Sequence, residues 1–206
     1  MKKLKVGNEK IVKKSDKVKN VVKVKPLKSV SSKKSEANYI RYNASITQHS
    51  WLSNFQNCMI VLYLEKGSDE TLTFANAEAA FQYFKTRSPE QRQKIYNCVK
   101  ASDARYQGSE KAGCVMRKDW FDIREPVMLA VLKAKYMQNY YLRKWLIATD
   151  KAELIELSPW DKELFWGTDD SGNGENKSGK LTMQVREWLR EMEENRVVKI
   201  YVGAFL

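Results

Sequence analysis

The chemistry legible in this sequence rests on carboxylates and glycines. Glu78 falls in the first turn of AEAAFQYFK, a segment otherwise rich in apolar residues, so a helix there should hold the acid in place and partly desolvate it. The same position also suits a charge that complements a helix N-terminus. Asp161, Asp169 and Asp170 lie in or beside FWGTDDSGNGENKSGKLTMQVREWL, where Gly167, Gly172, Gly174 and Gly179 place four of the nine glycines within thirteen residues. Two carboxylates from distant segments could supply the acid and the base for hydrolysing a glycosidic bond through an oxocarbenium-like transition state. The glycines would let backbone amides approach a ligand, and the helix predicted from about Lys180 to Asn195 would present an N-terminus suited to a phosphate. The spacing matches neither GxxxxGKS/T nor GxGxxG, and on composition alone a flexible connector is the simpler reading. Trp51, Phe55, Trp120, Trp160 and Trp166 supply flat rings that could stack on a base, although most aromatics in a domain of this size are core.

The elements that must position these residues follow from local pattern. MIVLYL (59–64) and TLTF (71–74) flank the polar, glycine-containing KGSDE and predict a hairpin. Asn76 then offers an N-cap for a helix with Ala77, Ala80, Phe81 and Phe84 on its apolar side. Pro89 suits the first turn of a second helix, and Ser102 or Asp103 can cap a third. A fourth is predicted from Asp122, with Pro126 tolerable only in its first turn and Val127, Ala130, Val131 and Ala134 forming a face. Asn139 opens a fifth with Leu142, Trp145, Leu146 and Thr149 on one side. ELIEL (153–157) predicts a short strand, VVKIYV (197–202) a terminal one, and the last helix carries Leu181, Val185, Trp188 and Leu189 on its apolar side. Strands at both ends with helices between them give an α+β fold: a compact single domain, mainly helical, with a small sheet or hairpin.

Charge separates the chain into two parts. Of the formal net charge of +12, residues 1–36 hold +10, with thirteen Lys against Glu9, Asp16 and Glu36, and the rest is nearly neutral. Residues 1–38 therefore predict a disordered Lys-rich tail, acting as an electrostatic arm for nucleic acid or a localisation receptor or as a solubilising extension, and residues 39–206 the folded domain. Cys58, Cys98 and Cys114 lack CxxC spacing and His49 is the sole histidine, so no dedicated metal site is expected and the cysteines fit a reducing, cytoplasmic compartment. No apolar run approaches the roughly 20 residues of a membrane span, and residues 1–36 contain no apolar stretch of the kind a secretory signal carries.

LSNF (52–55), AEAAFQYFK (77–85), MRKDW (116–120), VMLAVLKAKY (127–136) and the glycine-rich segment occur in the order and approximate spacing of the YbiA/NADAR N-glycosidase family, which residues 40–193 resemble. The resemblance implies a domain that hydrolyses the C1′–N bond between a base-like group and ribose without a metal or redox cofactor. YbiA-like members act on the ribosylaminopyrimidine phosphates of the riboflavin pathway, and other NADAR members remove ADP-ribose from guanine. It implies Glu78 as the catalytic carboxylate, with Phe81 and Gln82 completing its Glu-x-x-Phe-Gln pattern, and a substrate pocket of Ser53, Asn54, Phe55, Trp120, Trp166, Gly167, Gly172, Gly174, Asn176, Gly179 and Arg186. One departure stands out: the family's Trp-Gly-Asp is Trp-Gly-Thr here, at Thr168. Either a neighbouring acid has taken over by a one-residue shift, with Asp169 the favoured replacement, or that carboxylate is dispensable, or the copy is impaired. A non-catalytic module that binds ADP-ribose or a nucleotide is the corresponding alternative.

Overall fold

A hairpin runs directly into a helix in the computed structural model, which describes residues 38–46, 48–158, 164–192, 196 and 198–206. Strand β2 (Asn57–Tyr63) pairs antiparallel with β3 (Thr71–Asn76), and Ile60, Leu62 and Phe74 are its buried side chains. Asn76 ends β3 and caps α1 (Ala77–Tyr83): its Oδ1 accepts from the Ala79 N–H at 2.9 Å, and its Nδ2 donates to the Val99 carbonyl at 2.9 Å. This cap places Glu78 in the first helical turn.

Helix α2 (Pro89–Tyr96) starts at Pro89 behind the Ser88 cap. In α3 (Ala101–Gln107) the cap position belongs to Lys100, without a side-chain bond, so Ser102 and Asp103 lie inside the first turn rather than capping it. Helix α4 (Trp120–Gln138) starts two residues earlier than Asp122, which puts Pro126 in its second turn. Pro126 and Asp122 are both exposed, so the helical carbonyl that Pro126 leaves without a donor faces solvent, and the missing bond is tolerated. Val127, Met128, Val131, Leu132, Ala134 and Tyr136 of α4 enter the core, and the fully buried Lys135 goes in among them. Helix α5 (Tyr140–Ala148) buries Leu142 and Leu146, with Thr149 just beyond its end. Trp145, expected on that face, is 49% exposed and meets the edge of Trp51 at its margin, ring centroids 5.8 Å apart.

Strand β1 (Tyr39–Tyr42), unmarked by the residue pattern, pairs in parallel with β4 (Glu153–Glu156), setting Tyr42 opposite Glu156. The expected terminal strand is reduced to one parallel bridge between Tyr201 and Tyr63, because the next backbone pair along β2, the Val61 N–H and carbonyl, is taken by the Gln138 side chain at 2.8 and 2.7 Å. Helix α6 (Lys177–Arg190) starts three residues before Lys180 and buries Leu181, Val185 and Leu189, with Trp188 half-buried. The architecture is α+β, with six α-helices and two two-stranded sheets among the described residues, and Ala37–Leu206 form one compact unit. No described helix is long and apolar enough to cross a membrane. The expectations for the Lys-rich segment 1–37, and for Trp160 and Asp161, lie outside the described residues.

Candidate active site

Glu78, Phe81 and Gln82 are spaced to share one face of α1. Glu78 is only 8% exposed, and the Gln82 Nε2 donates to its Oε1 at 2.8 Å. The Ser-Asn-Phe turn docks on the start of this helix, where the Asn54 carbonyl accepts the Glu78 N–H at 3.1 Å. Ser53 is buried and braces the turn, its Oγ accepting the Phe55 N–H at 3.2 Å, while the Asn54 amide rests on the Met128 sulfur at 3.4 Å. Beneath them the Lys135 ammonium donates to the carbonyls of Leu52 at 3.0 Å and Ser53 at 2.9 Å. Burial lowers Lys135 to about 8, an effect that the nearby Cys58 and Glu156 oppose.

Glu156 supplies a second carboxyl that the residue pattern passed over as part of a strand. Burial pushes it up to about 7 and the Glu78 carboxylate adds to the rise, whereas a hydrogen bond with Ser178 and the charges of Lys135 and Arg105 pull it down. Tyr42 and Tyr136 adjoin it, both raised well above the tyrosine range, first by burial and then by neighbours that include Glu156. A carboxyl with these surroundings can donate and accept a proton near neutral pH. Its signal was available in the strand period: Leu154 is fully buried, and Glu156, two residues on, points to the same side. Lys135 was equally visible, four residues beyond Val131 and seven beyond Met128 on the apolar face of α4.

The glycine-rich segment is built around β4. Asn176, in the left-handed conformation at φ 51°, acts as a strand edge: its Oδ1 accepts the Glu156 N–H at 3.0 Å, and its Nδ2 donates to the Leu154 carbonyl at 2.9 Å. Thr168, also buried, donates its N–H to the Glu156 carbonyl at 2.8 Å and accepts that of Ser158 at 2.8 Å. A Cβ on Gly167 would come within 2.6 Å of the Ser158 Oγ and 2.7 Å of the Glu156 carbonyl, and one on Gly179 would collide with the Leu154 carbonyl. Arg186 secures the turn before β4, its Nη1 donating to the Thr149 Oγ1 and the Ala152 carbonyl, both at 2.8 Å. Gly167, Asn176, Gly179 and Arg186 are thus brought together around the strand that carries Glu156.

The expected phosphate cradle over Gly172–Gly179 meets a loop whose amides are already engaged. The N–H groups of Glu175, Asn176, Lys177 and Ser178 donate to the carbonyls of Leu164, Gly167, Phe165 and Trp166, so the loop itself fills the start of α6. Gly172 and Gly174 carry its turns at φ 87° and 138°. Asp169 is half-buried at the head of an exposed turn, and Asn173 donates to both its oxygens, from N–H at 2.8 Å and from Nδ2 at 2.9 Å. These bonds hold Asp169 below the usual carboxylate range and tie it to its own turn. Glu156 feels the charge of Glu78, whereas the groups that set Asp169 belong to its own turn.

Trp120 and Trp166 flank Phe81, with ring centroids 5.0 Å and 5.3 Å away. Trp120 is 4% exposed and serves as core, whereas Trp166 is half-buried and forms a wall beside the Glu78 face. Among the described residues no three of His, Cys, Asp and Glu gather in a metal-binding group.

Residues 40–190 match the model of the NADAR domain. The chain is 31% identical over 158 residues to the riboflavin biosynthesis protein VVA0006 of Vibrio vulnificus, covering 77% of this chain but only 40% of that protein. It is 32% identical over 117 residues to the N-glycosidase YbiA of Escherichia coli, covering 57% of this chain and 71% of YbiA. The NMR structure of E. coli YbiA superposes with a TM-score of 0.63 at 27% identity, over 79% of this chain and 93% of that one. Motifs, fold and matched length agree, and the chain belongs to the NADAR domain family.

Proposed function

We propose that this chain is an N-glycosidase that hydrolyses the C1′–N bond of ribosylaminopyrimidine phosphates, intermediates of riboflavin biosynthesis. Family membership and the name of the E. coli relative support the reaction class, and the name of the Vibrio relative, a riboflavin biosynthesis protein, supports the substrate class. The observation that carries the chemistry is the convergence of Glu78 and Glu156 from distant segments, with Glu156 near neutrality. Glu156 protonates the departing nitrogen as the C1′–N bond lengthens, and the positive charge develops on the ribose. Glu78 faces that charge and takes a proton from the water whose oxygen bonds to C1′. The products are the free amine and the ribose phosphate, with both catalytic carboxyls returned by proton exchange with solvent. Trp166 offers the base a stacking wall. The second acid, first sought at Asp169, is assigned to Glu156 because Asp169 is held ionised in an exposed turn.

A second reading keeps the same bond and changes the leaving group to guanine, with ADP-ribose as the sugar. A third is a module that binds without turnover; Thr168 in place of the family's aspartate favours it, and the Glu78–Glu156 pair speaks for catalysis. The test is chromatography of purified protein incubated with a 5-amino-6-ribosylaminouracil phosphate and, in parallel, with ADP-ribosylated guanosine. Ribose phosphate from the first is the expected result. Free ADP-ribose from the second alone would replace the substrate, and no product from either would leave the binding module.

A further inference from the structure

Glu78 lies at the N-terminal end of α1, and a separate basic cleft follows the C-terminal end of that helix. Its first compartment, about 450 Å³, is lined by residues that include Arg87, Arg117 and Lys118. A second, about 310 Å³, contains Tyr83, Arg92 and Tyr96 and shares Arg87 with the first. Asp119 lines the first compartment beside Arg87, Arg117 and Lys118, and no acid is among the residues that line the second. Asp119 is claimed by Arg117 at 2.6 Å and Arg87 at 3.2 Å, and Glu90 accepts a hydrogen bond from the Ser88 hydroxyl at 2.7 Å. Arg117 also donates to the Phe205 carbonyl and is part of the framework.

Arg92 stands differently. Its Nε donates to the Thr86 carbonyl at 2.8 Å and its guanidinium lies 5.1 Å from the Tyr83 ring centroid, but its Nη2 is buried without a hydrogen-bond partner. Burial lowers the Arg92 pKa, and Arg117 and Arg87 add to that. The Nη2 is closed to solvent, so an anion in the cleft would offset the crowded like charges of Arg92, Arg87 and Arg117 rather than bond that nitrogen.

We propose that this cleft is a second anion site, which takes the phosphate group of a small phosphorylated molecule through Arg92 and Arg87, with Lys118 at its mouth. Planar forked donors suit phosphate oxygens, and the Tyr83 and Tyr96 rings give a nucleotide base a wall that inorganic phosphate cannot use.

The test is calorimetric titration of the full-length chain with pyrophosphate and with ADP at physiological ionic strength, repeated for Arg92→Gln, Arg87→Gln and Glu78→Gln. Arg92→Gln and Arg87→Gln are each expected to weaken pyrophosphate about tenfold or more, the scale of one charge-assisted hydrogen bond. Glu78→Gln should bind it as the parent does, and the lysines of residues 1–36 contribute the same background to all variants. Tighter binding of ADP than of pyrophosphate would identify a nucleotide as the source of the phosphate, and equal binding a simpler phosphoanion. Circular dichroism melts show whether each variant is folded; should Arg92→Gln unfold, Arg87→Gln and Lys118→Gln carry the test. Absence of pyrophosphate binding, or binding that folded arginine variants leave unchanged, overturns the proposal.

Discussion

At the scale of residues, the proposed mechanism divides the work between two carboxyls, and their variants should fail differently. Glu78→Gln keeps the shape and the Gln82 contact but removes the base, so turnover should fall at least about a hundredfold with the fold intact, checked by kcat and a thermal melt. Glu156→Gln should also lower kcat. In the parent, activity should decline as pH rises through about 7, where Glu156 loses the proton it must donate. The same group sets a stability signature of definite sign. Between the ordinary carboxylate pKa of about 4.3 and about 7 the native state holds a proton that the unfolded chain has released, so stability falls as pH rises through that window. Glu156→Gln should flatten this fall and stabilise the protein at neutral pH by on the order of 2 kcal/mol, measured by denaturation at several pH values. Glu78 was legible in the sequence because a helix cap and an apolar face marked it. Glu156 was only half legible, because the strand period puts it on the side of Leu154 but ELIEL does not say which side is inward until burial of Leu154 shows it.

At the scale of elements, the glycine-rich segment is conspicuous in composition, and the fold shows where its amides go. Its composition allows a ligand cradle, but the chain spends its amides and its glycines on closing against β4, which only the three-dimensional pairing of Thr168 with Leu157 reveals. Helix positions were legible from apolar spacing. Their starts moved by two or three residues at α4 and α6, α6 ends at Arg190 where the pattern runs to about Asn195, and β1 escaped notice because its partner β4 lies more than a hundred residues away. On the proposed mechanism the segment matters to catalysis through Glu156. Asn176→Ala removes two bonds to β4 and should cost about 2–4 kcal/mol, seen as a lowered denaturation midpoint, with a drop in kcat that outlasts correction for unfolded protein. Asp169→Asn should leave kcat within about twofold, because that carboxylate serves its own turn. A loss comparable to that of Glu78→Gln would return Asp169 to the mechanism.

At the scale of the whole molecule, the net charge of +12 belongs overwhelmingly to residues 1–36, and the α+β unit of Ala37–Leu206 carries both Glu78 and Glu156. Removal of residues 1–36 should leave N-glycosidase kcat unchanged, while any nucleic-acid association that weakens steeply with salt should disappear with them. The separation of charge between residues 1–36 and the nearly neutral remainder is read from composition alone, since charge counting needs no fold. The claim on which the account depends is that the domain cleaves a C1′–N bond with Glu78 and Glu156 as its acid–base pair. Its most direct test is the rate of ribose phosphate release from a 5-amino-6-ribosylaminouracil phosphate, followed across pH for the parent, Glu78→Gln and Glu156→Gln. The account predicts release by the parent with a decline above about pH 7, and severe loss in both variants. Unimpaired release by folded Glu78→Gln and Glu156→Gln would contradict it.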